Sequence, residues 1–181
     1  MRLFVGIMTP DAVDDALDEA LGATMRGRAR EAGLDRWTPR IERHLTLRFI
    51  GETDAEAAVT RAVARAAASS GALRLLVGAM AAPLTARVVA IPVEGAERIA
   101  AAVDDALAEA GVAARERPFT GHITVARASH HLRAAAVEQA LHHPPLAVPW
   151  AAEALQVIQS VSGGEARYVV RSTHPLTGRA V

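Results

Sequence analysis

Two short stretches of the sequence combine an imidazole with a hydroxyl at a spacing that suits catalysis. They are His44-Leu45-Thr46-Leu47 and His122-Ile123-Thr124-Val125, in which a His and a Thr alternate with aliphatic residues. Because successive side chains of a β-strand point to opposite faces, the His and the Thr share one face and the aliphatic pair is buried on the other. The sequence therefore predicts two half-buried strands that bring four reactive side chains to one cleft.

The simplest alternative is two ordinary strands that each carry a surface His and Thr. Random placement of the 7 His in a chain of 181 residues gives only about 0.1 motifs of this kind. The presence of two copies therefore favours a shared function over coincidence.

The chemistry of such a set is proton transfer at a phosphorus atom. Imidazole titrates near neutral pH, so a neutral His accepts a proton from a nucleophile while a charged His donates one to a leaving group. The two Thr hydroxyls are suited to hydrogen bonds with the non-bridging oxygens of a phosphate. This combination indicates in-line displacement with an alkoxide leaving group, and a strained 2′,3′-cyclic phosphate is an apt substrate.

The basic residues support this interpretation by their type and position. All 20 are Arg, a residue suited to bidentate phosphate contact, and several flank the motifs. They are Arg36, Arg40, Arg43 and Arg48 around the first motif and Arg115, Arg117 and Arg127 around the second. The absence of Lys and Cys excludes a lysyl-adenylate, a Schiff base, disulfides and Cys nucleophiles. The net charge of zero argues against non-specific coating of nucleic acid.

Strands and helices alternate along the chain and position the two motifs. A Thr9 N-cap before Pro10 predicts a long helix to about residue 32, and Thr53-Asp54-Ala55-Glu56 reads as a capping box. The predicted strands are 2–8, 43–50, 73–77, 87–93 and 122–126. Two further strands, 155–161 and 166–171, are predicted to form a hairpin around Ser162-Gly163-Gly164-Glu165. Further helices are predicted at 94–110 and 132–141. We expect an α+β fold with antiparallel sheets, in which two lobes related by a pseudo-twofold form a single domain spanning residues 1–181.

The chain resembles the two-histidine phosphoesterase superfamily and, within it, the RNA 2′,3′-cyclic phosphodiesterase family, also called 2′-5′ RNA ligase. The resemblance covers nearly the whole chain. It rests on both His-x-Thr motifs with their flanks, and on the following further stretches: Arg2-Leu3-Phe4-Val5, Arg36-Trp37, Arg117-Pro118-Phe119 and Gly164-Glu165-Ala166-Arg167-Tyr168. It implies a bilobal α+β fold with outer helices and a central cleft between two antiparallel sheets.

The resemblance also implies an activity, the hydrolysis of a 2′,3′-cyclic phosphate to a 2′-phosphomonoester. By motif, His44 is the proton donor to the leaving O3′ and His122 the proton acceptor from water. Thr46, Thr124 and Arg127 are expected to hold the phosphate. Further candidate substrate contacts are Arg48, Phe49, Phe119 and Tyr168; of these, Phe49 and Phe119 are also expected in the core.

Two other functions remain open at this stage. The same fold can act on a small nucleotide-derived cyclic phosphate or on a 2′-5′ linkage, with ligation as the reverse reaction, or it can be a non-catalytic RNA- or nucleotide-binding module. We expect no cofactor and no metal, because the adjacent pairs His130-His131 and His142-His143 lack partner carboxylates. The expected partner is RNA with a cyclic phosphate end or a cyclic nucleotide, and the expected protein is a cytoplasmic monomer without a membrane segment or protein partner.

Overall fold

A computed structural model describes residues 1–132, 134–161 and 167–178. Within them the chain forms ten β-strands and five α-helices. The strands are β1 (Arg2–Met8), β2 (Arg36–Trp37), β3 (His44–Glu52), β4 (Leu73–Ala79), β5 (Ala82–Thr85), β6 (Val88–Glu94), β7 (His122–Arg127), β8 (Leu146–Ala152), β9 (Ala154–Ser160) and β10 (Tyr168–Pro175). The helices are α1 (Asp11–Ala20), α2 (Ala23–Glu31), α3 (Glu56–Ala68), α4 (Glu97–Glu109) and α5 (Ala134–Ala140).

All strand pairings between described residues are antiparallel, and the main path runs β10-β9-β1-β3-β7-β6-β4-β8. β2 adds to β7, and β5 adds to β6. The two motif strands, β3 and β7, are neighbours at the middle of this order, with three strands on either side. The expected α+β class is confirmed, although β3 and β7 join the two halves into one curled sheet through the pair Leu45–Ile123.

The helices cover the outside of the sheet. α3 packs on α4, β9 and β10, and α4 also contacts β3; α1 contacts β8, and α2 contacts α5. Their buried faces meet an aliphatic core to which both motif strands contribute. Leu45, Leu47, Ile123 and Val125 are each no more than 1% exposed, and burial of each such side chain contributes about 1.5–3 kcal/mol. Among the described residues, no helix is long and apolar enough to cross a membrane.

The long helix predicted to residue 32 is wrong, because two helices form and the chain breaks between them at Leu21 and Gly22. Gly22 is extended (φ −59°, ψ 175°), and Arg26 Nε donates to the Leu21 carbonyl oxygen at 2.8 Å. The Thr9 N-cap is also wrong: Pro10 takes that position, and the Thr9 hydroxyl donates to Asp14 Oδ1 at 3.0 Å. Helical periodicity does not report the side-chain contacts that Thr9 and Arg26 make at these two positions.

The capping box before α3 does not form. Ala55 occupies the N-cap, the Thr53 hydroxyl accepts the Ala55 N–H at 3.0 Å, and Glu56 binds Arg171 at 2.8 Å.

The strands predicted from the sequence did not include β2, β5 and β8, which are short or contain a proline. The C-terminal hairpin of β9 with β10 is confirmed, while its turn Ser162–Glu165 lies outside the described residues.

Candidate active site

Both motifs begin at the first residue of a strand, β3 at His44 and β7 at His122. The two strands meet antiparallel at Leu45 and Ile123, whose side chains are completely buried. Because side chains alternate along a strand, the His and Thr of both motifs project from the opposite face. The four side chains therefore stand together on one side of the sheet, as the sequence predicts.

The register of that pair determines which side chains are neighbours across the strands. One residue to either side of Leu45–Ile123, an antiparallel register sets His44 across from Thr124 and Thr46 across from His122. The cavities agree with this arrangement, because one is lined by the first pair and the other by the second. Each imidazole is thus combined with the hydroxyl of the other motif.

The two imidazoles are held in the same way. Nδ1 of His44 lies 2.7 Å from the carbonyl oxygen of Glu42, and Nδ1 of His122 lies 2.7 Å from that of Thr120. A carbonyl oxygen only accepts hydrogen bonds, so Nδ1 of each ring carries a proton that it donates. Nε2 of each ring is left to exchange a proton with a ligand, which acid–base catalysis requires.

His44 is enclosed by aromatic rings. Its ring centroid lies 4.8 Å from that of Phe4 and 4.9 Å from that of Tyr168, which meets it edge-on. Burial lowers the pKa of His44 below its ordinary value of 6.5; the Glu42 hydrogen bond opposes this, and the charges of Arg127, His122 and Arg167 lower it further. A bound phosphate anion would counteract these effects and favour the charged imidazole.

Two cavities flank the row of reactive side chains. The first, about 390 Å³, lies at the end with His44 and Thr124 and is called the His44 pocket. Its other lining residues are Asp35, Arg36, Trp37, Thr38, Glu42, Arg127, Arg167 and Tyr168. The second, about 830 Å³, lies at the end with Thr46 and His122 and is called the His122 groove. Both volumes are in the range of small-molecule and nucleotide sites.

The sequence model of the 2′-5′ RNA ligase superfamily matches residues 12–164, most of the chain, and both motifs lie within the match. The chain belongs to the 2′-5′ RNA ligase superfamily.

Solved structures support the superfamily assignment over nearly the full length. Protein TT0787 of Thermus thermophilus is similar with a TM-score of 0.76 and 26% identity, covering 98% of this chain and 99% of that one. E. coli LigT complexed with 3′-AMP is similar with a TM-score of 0.67 and 26% identity, covering 97% and 98%. The MHV ns2 PDE domain shares the fold, with a TM-score of 0.56 and 16% identity over 86% and 96% of the chains. Among curated proteins, none matches the sequence significantly.

The arginines near the motifs of this superfamily member divide into two groups. Carboxylates hold the first group: Arg43 pairs with Asp14 and Asp18, Arg40 with Asp15 and Asp18, and both Arg48 and Arg115 with Asp104. No ion pair between described residues includes the second group, which comprises Arg36, Arg117, Arg127 and Arg167. The second group lines the two cavities and is available to an anionic ligand.

The residues predicted as substrate contacts lie in both cavities. Arg127 and Tyr168 line the His44 pocket, while Arg48, Phe49 and Phe119 line the His122 groove. Phe49 is 55% exposed, so its predicted place in the core is wrong, whereas Phe119 packs partly against the core. Arg48 is only 7% exposed and also donates to the Ala113 carbonyl oxygen, so it anchors the loop before β7.

Sequence reasoning missed five residues of the His44 pocket as site residues, namely Asp35, Trp37, Thr38, Glu42 and Arg167. The positions of Asp35 and Trp37 depend on β2, which adds to β7 through the pairs Arg36–Arg127 and Trp37–Ala126. No local pattern in the sequence marks β2 as a strand. The Trp37 Nε1 atom is buried there without a hydrogen-bond partner among the described residues. Arg167 had a signal in the sequence, since it precedes the candidate Tyr168.

Where the structure describes the chain, the remaining histidines form no cluster with carboxylates. Among the described residues, no three His, Asp or Glu side chains are close enough to hold a metal ion. His143 is 3% exposed; its Nε2 accepts the Ala81 N–H at 3.0 Å and its Nδ1 donates to the Pro144 carbonyl oxygen at 2.6 Å. It therefore links the loop before β8 to the loop before β5.

Proposed function

We propose that this protein is an RNA 2′,3′-cyclic phosphodiesterase that hydrolyses a cyclic phosphate on RNA ends or nucleotides to a 2′-phosphomonoester. One observation carries the proposal: two imidazoles, each with Nδ1 held by a carbonyl oxygen two residues upstream, alternate with two hydroxyls across adjacent strands. This geometry leaves two Nε2 atoms for one proton acceptor and one proton donor. The proposed partner is RNA or a cyclic nucleotide, and the proposed state is a cytoplasmic monomer.

Each proton has a defined path in the proposed reaction. Neutral His122 accepts a proton at Nε2 from water, whose oxygen forms a bond to phosphorus. The bond from phosphorus to O3′ breaks on the opposite side, and charged His44 donates its Nε2 proton to O3′. Thr46, Thr124 and Arg127 stabilise the negative charge on the non-bridging oxygens, which is greatest in the transition state. Neither a metal nor a cofactor is required.

The comparisons support the substrate class. Solved structures of E. coli LigT hold 3′-AMP, ATP, NADP+ and phosphate, and that protein is 26–27% identical to this chain. The His44 pocket and the His122 groove have the volumes that nucleotide ligands need. A nucleotide carrying the reacting phosphate is the substrate class most consistent with these features.

The deciding experiment incubates the purified protein and excess EDTA with a short RNA ending in a 2′,3′-cyclic phosphate, and follows the product by phosphorus NMR. We expect a 2′-phosphomonoester, and loss of most turnover in His44→Ala and His122→Ala with an unchanged circular dichroism spectrum. Wild-type turnover in either variant would overturn the mechanism. A 3′-phosphomonoester would overturn the assignment of O3′ as the leaving group.

The same assay separates the other candidate functions. Hydrolysis of a mononucleoside cyclic phosphate but not of RNA would identify a small-nucleotide enzyme. A 2′-5′ linked product in the presence of RNA with a 5′-hydroxyl would identify ligation. Binding of both substrates without turnover would identify a non-catalytic module.

A further inference from the structure

We propose that the His44 pocket binds a second phosphate group of the substrate through Arg36 and Arg167, while Arg127 contacts the reacting phosphate. This inference rests on the proposed function and deepens it by naming the substrate class. That class is a nucleotide 2′,3′-cyclic phosphate whose ribose also carries a phosphate at its 5′ position, as the end of an RNA chain does.

The first argument is an excess of positive charge in a small space. Arg36, Arg127 and Arg167 line a pocket of about 390 Å³, and no ion pair between described residues includes any of them. Asp35 and Glu42 line the same pocket and offset two of the three guanidinium charges, so the pocket carries two positive charges once His44 is charged. A cyclic phosphodiester supplies one negative charge, and the remaining positive charge indicates a further anionic group on the ligand.

The second argument is a like-charge pair across two strands. Arg36 of β2 is the direct antiparallel partner of Arg127 of β7. Like charges directly opposite each other destabilise a sheet, and two neighbouring phosphate groups, one bound to each guanidinium, would remove that cost. The adjacent carboxylate of Asp35 accepts hydrogen bonds from the hydroxyl and the backbone N–H of Ser129, and these bonds, together with the nearby charge of Arg36, lower its pKa. No ion pair between described residues joins Asp35 to Arg36.

Arg167 places a third guanidinium at the same end of the cleft. Its Cζ lies 5.8 Å from the ring centroid of Tyr168, and that ring meets His44 edge-on at 4.9 Å. The charges of Arg127 and Arg167 both contribute to the lowered pKa of His44, which supports their proximity to that imidazole. Glu42 is the other carboxylate among the described lining residues, so three arginines face two carboxylates there and the net charge is one positive before His44 takes up a proton.

The proposed reaction decides which part of the substrate reaches these arginines. In an in-line displacement the attacking and leaving oxygens lie on opposite sides of phosphorus. Water lies at the end with His122, so the leaving O3′ and its ribose lie at the end with His44. The nearest further phosphate on that ribose is at the 5′ position, within the reach of a pocket of this size. The 5′-phosphate therefore faces Arg36 and Arg167.

The test compares kcat/KM for adenosine 2′,3′-cyclic phosphate with kcat/KM for the same compound carrying a 5′-phosphate. We expect the wild-type protein to prefer the 5′-phosphorylated compound by about tenfold or more, the effect of charge-assisted hydrogen bonds to a phosphate. Arg36→Gln and Arg167→Gln should each reduce this ratio toward one. Arg61→Gln, an exposed arginine on α3, is the matched control and should keep the ratio.

The ratio of the two kcat/KM values separates failure of this inference from failure of the proposed function. Equal rates on both compounds, or a preference that survives both substitutions, would overturn the second phosphate site while the phosphodiesterase proposal stands. Absence of turnover on both compounds and on RNA would overturn the phosphodiesterase itself. A preference that falls with rising salt in the wild type, but not in Arg36→Gln, would further support a charge contact.

Discussion

Leu45 and Ile123 face each other as the Cα pair that joins β3 to β7, and this contact aligns the two His-x-Thr motifs. Because both side chains are completely buried, a shift by one residue would expose them and bury the imidazoles. The free-energy cost of exposing Leu45 and Ile123 therefore maintains the register between β3 and β7. The alignment of the reactive groups therefore follows from core packing on the other face of the same strands.

A change of leaving group separates the roles of the two histidines. A cyclic phosphate with sulfur in place of O3′ releases a thiolate, which needs no proton from a general acid. We expect His44→Ala to lose about 10²–10⁴-fold on the oxygen substrate and far less on the sulfur substrate. His122→Ala, the matched variant, should lose similar factors on both. Equal losses for His44→Ala on the two substrates would contradict its role as proton donor.

The titration of His44 is the second prediction. Burial and the charges of Arg127, His122 and Arg167 lower its pKa, so the imidazole in the free protein should lose its proton below pH 6.5. Arg167→Gln removes one positive charge and should raise this pKa, and inorganic phosphate should raise it by stabilising the charged ring. Nitrogen and proton NMR of the imidazole measures both shifts. A pKa that phosphate leaves unchanged would place His44 away from the anion.

The buried ion pair beside the first motif is the basis of the third prediction. Arg43, only 5% exposed, binds Asp14 at 3.1 Å and Asp18 at 2.6 Å. Burial raises the pKa of Asp18, but hydrogen bonds from Arg43, Arg40 and Arg26 outweigh it and lower this pKa to about 2. Arg43→Met leaves the buried Asp14 without its ion-pair partner and should reduce the free energy of unfolding by about 3–5 kcal/mol.

Urea unfolding measures that loss against a surface control. Arg40 binds the same Asp18 at 2.6 Å, but its side chain is 44% exposed. Arg40→Met should therefore cost no more than about 1 kcal/mol. Similar losses for the two variants would show that burial does not decide the strength of this network.

A pair of glycines provides the fourth prediction. A Cβ on Gly121 would lie 2.1 Å from the Val93 carbonyl oxygen, whereas nothing lies within 4 Å of a Cβ on Gly27. Gly121→Ala should displace the start of β7, cost about 1–3 kcal/mol and lower kcat because His122 follows directly. Gly27→Ala, inside α2, should stabilise the protein by about 0.5–1 kcal/mol. Thermal unfolding with a parallel rate assay compares them, and an active, stable Gly121→Ala would contradict this packing.

Local patterns in the sequence determined the parts of the site that one strand contains. The alternation in His44-Leu45-Thr46-Leu47 is enough to place the imidazole and the hydroxyl on one face, because the period of a strand is two residues. The same argument holds for the second motif. Gly22, in contrast, had a local signal that the prediction of one long helix did not use, because glycine is unfavourable inside a helix.

Only the tertiary structure decided which residues share the cleft with those motifs. Arg43 and Arg36 look alike in the sequence, yet Arg43 is buried against Asp14 and Arg36 faces the His44 pocket. The difference arises from α1 folding back to supply Asp14, and from β2 pairing with β7. Both contacts join residues that are distant in the chain, so their formation depends on the packing of the whole fold rather than on any local pattern.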